Sequence, residues 1–244
     1  MNLGRKILIM LILVLFAING FSQGKQTTVI NTPTAFTIAK GTYKISFLQY
    51  DNGGMELKSF LGMHDIFYLG ASVDIENAIG KDKIKFNIPG VIGKVKFTEG
   101  WDIFPVAIAA GYDSFYMGTE GFEENRTNQL NRLIYGPYLA FTGSIYLLDS
   151  EQFLTMGLRT PTQPHYKPGK TSYFASFDIP LGDFFRFQLE TERIYWNFQH
   201  TKDWLYNVGM KYNYYDTIGF SFAVIFQKGE KPNRVFRIEY HGEF

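Results

Sequence analysis

The feature that most constrains this chain is the period of its last stretch. From Val235 onward, Phe236, Ile238, Tyr240, Gly242 and Phe244 fall on one face, and Arg237, Glu239, His241 and Glu243 on the other. A period of two is that of a strand with an apolar and a polar side. The same period recurs upstream. Tyr43, Ile45 and Phe47 alternate with Lys44, Ser46 and Leu48, and Phe67, Leu69, Ala71, Val73 and Ile75 oppose Gly70, Ser72 and Asp74. Val106, Ile108, Ala110 and Tyr112 oppose Ala109, Gly111 and Asp113, and Phe185, Phe187 and Leu189 oppose Arg186, Gln188 and Glu190. Tyr206, Val208, Met210, Tyr212 and Tyr214 oppose Asn207, Gly209, Lys211 and Asn213. The pattern predicts an all-β chain of about twelve strands, each near the ~9–11 residues that a tilted membrane strand needs.

A soluble sandwich or lipocalin-like barrel also alternates, so a second signal has to decide. The connections supply it. Counting back from the C-terminus, every second one is tight: Asp216-Thr217, Leu181 to Asp183, Asp149 to Glu151, Glu99 to Asp102, and Met63 to Asp65. Those between are mostly longer and polar, such as Glu76 to Gly90, Met117 to Arg132 and Pro161 to Lys170, with the hairpin at Asp51 to Gly54 the exception. Short turns on one side and long loops on the other characterise a transmembrane antiparallel up-and-down β-barrel. Aromatics cluster near the strand ends (Trp101, Phe184, Phe185, Trp196, Trp204, Tyr214, Tyr215), where a membrane interface satisfies both an apolar body and a polar edge. Aromatic residues are 18% of the chain and no late apolar run reaches helix-spanning length. The terminal strand resembles the closing strand of bacterial outer-membrane barrels. That resemblance implies that Phe236, Ile238, Tyr240 and the terminal Phe244 form an assembly signal for the barrel-assembly machinery.

The N-terminus carries an address. Arg5 and Lys6 precede an apolar run from Ile7 to Ile18, followed by Asn19 to Gln23. This is the build of a secretory signal peptide, expected to span residues 1–23. Residues 24–41, Thr-rich and containing Pro33, are expected as a periplasmic lead-in, and residues 42–244 as the barrel. The expected location is the outer membrane of a diderm bacterium, in contact with lipid and lipopolysaccharide.

The polar faces then look inward. Lys44, Asp74, Asp113, Arg186, Glu190, Lys211, Arg237 and Glu239 are the expected lumen-lining charges. Buried charges must be paired or wet. Opposed signs, with Arg186 and Glu190, Lys211, then Arg237 and Glu239, allow a ladder of pairs that either plugs the lumen or lines a narrow pore. The first expectation is a narrow channel or export-associated pore. The alternatives are a rim-active membrane enzyme, with Glu120, Glu123, Glu124 and Asp203 as acids and His200 as base, or a plugged barrel with a structural or adhesive role. No nucleophile motif, phosphate loop or dinucleotide fingerprint is present. His64, His165, His200 and His241 lack metal-site spacing, and with Cys 0 no metal or cofactor is expected. A net charge of +1 with no basic run argues against nucleic acid.

Thr32-Pro33-Thr34-Ala35 with Gly41 soon after, Pro89-Gly90-Val91 leading to Lys94-Val95-Lys96, and Gly111-Tyr112-Asp113 together resemble the front part of YjbH-like outer-membrane proteins over residues 31–118. That family is associated with exopolysaccharide production, so the resemblance implies an exported barrel with polysaccharide export partners.

Overall fold

The computed structural model describes residues 25–101, 104–116, 133–147, 150–160, 162, 171–196, 201–227 and 231–244. The expected signal peptide, most of the loops Met117 to Arg132 and Pro161 to Lys170, His165 and His200 lie outside the described residues, as do the side chains of Trp101, Trp196 and Asp203.

The wall is built from β1 (Thr42–Tyr50), β2 (Gly54–His64), β3 (Phe67–Glu76), β5 (Gly90–Trp101), β6 (Phe104–Tyr116), β7 (Leu133–Leu147), β8 (Ser150–Arg159), β9 (Ser172–Leu181), β10 (Phe185–Trp196), β11 (Thr201–Tyr214), β12 (Ile218–Gln227) and β13 (Asn233–Glu243). A two-residue strand, β4 (Lys85–Phe86), only extends the edge of β3 through Ile75↔Phe86 and Glu76↔Lys85. Each wall strand pairs antiparallel with its sequence neighbours. The last strand closes on the first, from Thr42↔Glu243 to Gln49↔Phe236. The fold is a closed twelve-stranded up-and-down barrel, in which every wall strand has a partner on both sides, as a strand in lipid requires.

Tight turns and long connections segregate to opposite ends. The turns β2–β3, β5–β6, β7–β8, β9–β10 and β11–β12 share one end with Thr42 and Phe244. In the β11–β12 turn Tyr215 and Asp216 are both at positive φ (46° and 54°), with the Thr217 amide donating to the Tyr214 carbonyl at 3.0 Å. Two such residues match the right-handed twist of the flanking strands. At the first hairpin a short 3₁₀ turn, Asp51–Gly53, makes the connection. Gly53 has φ 69°, and a Cβ there would lie 1.8 Å from the Ile79 carbonyl oxygen, so the β3–β4 connection folds down onto this turn only because the position is glycine.

Burial is inverted relative to a soluble protein. Arg186 and Gln188 are fully buried, whereas Phe222 and Leu69 are 50% exposed. Ile45, Leu57, Val95, Met156, Val208, Met210, Phe220 and Phe236 join them on the outer surface. A water-facing shell of this kind would be costly, and a hydrocarbon-facing one is favourable. At the tight-turn end, Phe184, Phe185, Tyr212, Tyr214 and Tyr215 pack together, with ring centroids 4.7 Å apart for Tyr214–Tyr215 and 5.1 Å for Phe185–Tyr212. Tyr43 bridges Tyr240 and Phe244 at 6.0 and 6.4 Å. These rings form part of an interfacial girdle. Replacing Val208, near the middle of β11, by arginine should destabilise the barrel by about 2–4 kcal/mol, measured by equilibrium refolding into lipid vesicles. A cost near zero would show that this face does not meet hydrocarbon.

Candidate functional site

Small inward residues leave space inside the wall. Ala107 and Ala109 on β6, Ala140 on β7, Gly209 on β11 and Ala223 on β12 all face the interior. A twelve-stranded barrel is also wider than the eight-stranded kind that its own side chains fill. The space is occupied by the chain itself. Residues 27–36, expected as part of a lead-in outside the barrel, fold into a small hairpin within the lumen.

The hairpin is closed by a bridge between Thr28 and Pro33 and by Val29 N–H to Thr32 O (3.0 Å) and Thr34 N–H to Thr27 O (3.1 Å). Its apolar side chains fill the gaps. Val29 and Ile30 pack with Leu48, Tyr50, Leu205, Ala223, Ile225 and Val235. A Cβ on Gly209 would lie 3.1 Å from Ile30 Cδ1, so the missing side chain there makes room for the hairpin tip. Ala35 and Phe36 pack with Ala107, Ala109 and Phe153, with the Phe36 and Phe153 rings edge-on at 5.2 Å.

Its polar groups meet wall charges. Glu190 Oε2 accepts the backbone N–H groups of Ile30 (3.1 Å), Asn31 (2.8 Å) and Thr32 (2.8 Å) and the Thr32 hydroxyl (3.0 Å). Its other oxygen accepts from the Asn207 amide at 2.6 Å. Successive backbone N–H groups converging on one oxygen form an anion nest. Lys94 does the converse. Its ammonium donates to the carbonyls of Thr27 (2.8 Å), Thr34 (2.9 Å) and Phe36 (3.0 Å), with the rings of Tyr68 and Tyr138 at 5.4 and 5.9 Å. Arg159 donates to Asn31 O at 3.2 Å, and Thr142 Oγ1 accepts from Ala35 N–H at 2.8 Å. Lys44 reaches the Thr27 hydroxyl, and Lys211 the Gln26 side-chain oxygen.

The remaining wall charges pair among themselves. Arg186 holds Asp178 through Nε (3.0 Å to both oxygens) and Nη2 (2.7 Å). Glu239 sits between Lys211 and Lys44, the latter at 3.4 Å. Lys58 bridges Asp113 (2.9 Å) and Glu56 (3.5 Å), and Glu192 takes Arg159 at 3.4 Å and Ser172 at 3.2 Å. Asp74 accepts from Tyr50 and Asn87, both at 2.6 Å.

Of the residues expected to line the lumen, Lys44, Asp74, Asp113, Arg186, Glu190, Lys211 and Glu239 are buried and Arg237 is half-buried. Of the ladder that opposed signs on neighbouring strands allow, Lys211 and Glu239 do pair, whereas Arg186 turns to Asp178 and Glu190 to the hairpin. Lys94, Arg159, Asp178 and Glu192, outside that expected set, carry as much of the interior chemistry. Phe236, Ile238, Tyr240 and Phe244 lie on the outward face. His64 is exposed at the end of β2, stacked on Phe67 at 6.3 Å, and His241 is half-buried. Among the described residues no group of three metal-ligating side chains could hold an ion. Glu120, Glu123, Glu124 and His200 of the rim-enzyme reading lie outside the described residues.

No family model and no curated protein matches the chain, so the YjbH-like resemblance finds no support, and the Thr32 to Ala35 motif behind it lies in the lumen hairpin. Solved structures do match. The chain is similar to the KdgM porin, with a TM-score of 0.54 at 11% identity over 83% of this chain and 99% of that one. The KdgM porin in complex with disordered oligogalacturonate matches with a TM-score of 0.54 at 12% identity over the same shares. The NanC porin follows at 0.49 and 12%, again over 83% and 99%. At these identities the likeness to the KdgM porin is one of fold alone: a closed antiparallel β-barrel.

Proposed function

We propose that this protein is an outer-membrane channel with a narrow, charged lumen, and that the structure is its closed form. The observation that carries the reading is the lumen hairpin inside a wall whose inward face is ionic. A barrel needing only rigidity gains little from buried ion pairs, which well-packed apolar residues would match or better. A polar lining is what a water-filled path requires. With the hairpin withdrawn, Lys94, Glu190, Lys44, Lys211 and Arg159 would face water and passing polar solutes. Export, insertion by the barrel-assembly machinery through the terminal strand, and an outer-membrane location belong to the same reading.

The fold shared with the KdgM porin supports a channel class and leaves the solute open. A second reading, a permanently plugged structural barrel, draws support from the apolar packing of Val29, Ile30 and Phe36. Planar-bilayer recordings separate the two. The full mature chain should show rare, brief openings. A barrel lacking residues 25–36 should conduct steadily, with mean current higher by about an order of magnitude or more. A folded, truncated barrel that passes no current would eliminate the channel.

A further inference from the structure

We propose that residues 27–36 are an exchangeable peptide ligand of the lumen, held chiefly by Lys94 and Glu190, and that the lumen takes the same peptide when it is supplied as a separate molecule. The proposal rests on the channel reading for its meaning as a gate, though its chemistry stands apart from it.

Three observations point this way. First, the wall does not depend on the hairpin for its backbone pairing: the ladder runs unbroken from β1 to β13 and back, and the hairpin's one bridge, Thr28 to Pro33, is internal. Withdrawal leaves no wall strand unpaired. Second, the grip on the hairpin is largely on peptide groups. Three carbonyls fall on Lys94 and three amides on Glu190, so the wall reads a backbone turn that any copy of this peptide can present. Third, the seated hairpin leaves wall groups beside it unmet. Gln188 lies across the ladder from Gly209, where Ile30 sits. Both amide atoms of Gln188, Ser176 Oγ and Asn207 Oδ1 are buried and have no hydrogen-bond partner among the described residues. Buried unmet polar groups are costly, so they offset part of the hold on the seated hairpin and favour exchange over permanent burial.

The route is set by the root. Lys40 N–H donates to Asp65 Oδ1 (2.9 Å), Thr37 Oγ1 to Asp65 O (2.6 Å), and Gly41 N–H to Gly62 O (2.9 Å), all at the tight-turn end. The hairpin therefore leaves and returns through that end, and Lys40 there is exposed.

The test uses the full chain. A specific protease site is inserted after Lys40, the protein is folded in detergent, and only then is it cut. Excess synthetic peptide of residues 25–40, fluorescently labelled at its N-terminus, is added and anisotropy is followed. The expected result is one labelled peptide bound per barrel with release of the original. Lys94→Met in the barrel, or Thr32→Val in the peptide, should weaken retention by about tenfold. The peptide variant keeps the test valid even if the barrel variant does not assemble. A cut barrel that stays folded and never exchanges, or exchange indifferent to both substitutions, overturns the proposal. Current is recorded in parallel: exchange without current in the emptied barrel sinks the channel and leaves the ligand, whereas current without exchange does the reverse.

Discussion

Glu190→Leu should unseat the lumen hairpin and hold the barrel open. One carboxylate oxygen accepts three backbone N–H groups and a hydroxyl from residues 30–32, and leucine accepts none. A buried donor left unmet costs about 1–3 kcal/mol. Taking the low end for each amide, the closed state loses about 3 kcal/mol, or roughly a hundredfold in the closed-to-open ratio. Leucine recovers a little by touching Ile30, which is why the low end is used. The wall itself keeps its ladder, so heat-modifiable mobility on gels should be retained while open dwell times lengthen. Wild-type dwell times in a folded Glu190→Leu barrel would contradict the assignment of Glu190 as the hairpin's anchor.

Asp178→Ala should have the largest effect on stability. Arg186 is fully buried and is gripped from two nitrogens by Asp178. Removing one partner of a buried pair takes away the interaction that offset the other's desolvation and costs about 3–5 kcal/mol. The midpoint of urea unfolding in detergent should fall accordingly. Replacing both, as Asp178→Leu with Arg186→Met, should restore most of the loss, because two apolar groups owe no desolvation penalty. A double variant as unstable as the single one would mean that the site depends on more than this pair.

The wall was readable from sequence because its physics is local. Each residue of β13 chooses a face by its place in the pleat, so Phe236 and Arg237 announce opposite surroundings without reference to any other strand. The turn at Asp216 was readable for the same reason, although it is Tyr215 and Asp216, not Asp216 and Thr217, that take the positive φ values. The lumen contents were not readable. The hairpin is recognised largely through N–H and C=O groups, which almost every residue carries, so the Thr-rich composition of Thr27 to Thr34 and its Pro33 do not say where the segment goes. The one sequence trace is indirect: Ala107, Ala109, Gly209 and Ala223 are small where a wide, self-filled barrel would need bulk. Ion-pair partners were equally hidden. Arg186 is nearer in sequence to Glu190, but Asp178 sits on the adjoining strand, across from Gln188 and reached by Arg186, and only the register of β9 against β10 decides between them.

The root of the hairpin adjoins the seam where the barrel closes: Gly41 accepts from the Phe244 amide at 3.0 Å, and Thr42 faces Glu243. The first strand and the stopper are thus one continuous stretch of chain meeting the last strand. The seam that closes the cylinder and the root of the segment that fills it are therefore held by the same few residues, so a change at Gly41 or Thr42 is felt by both.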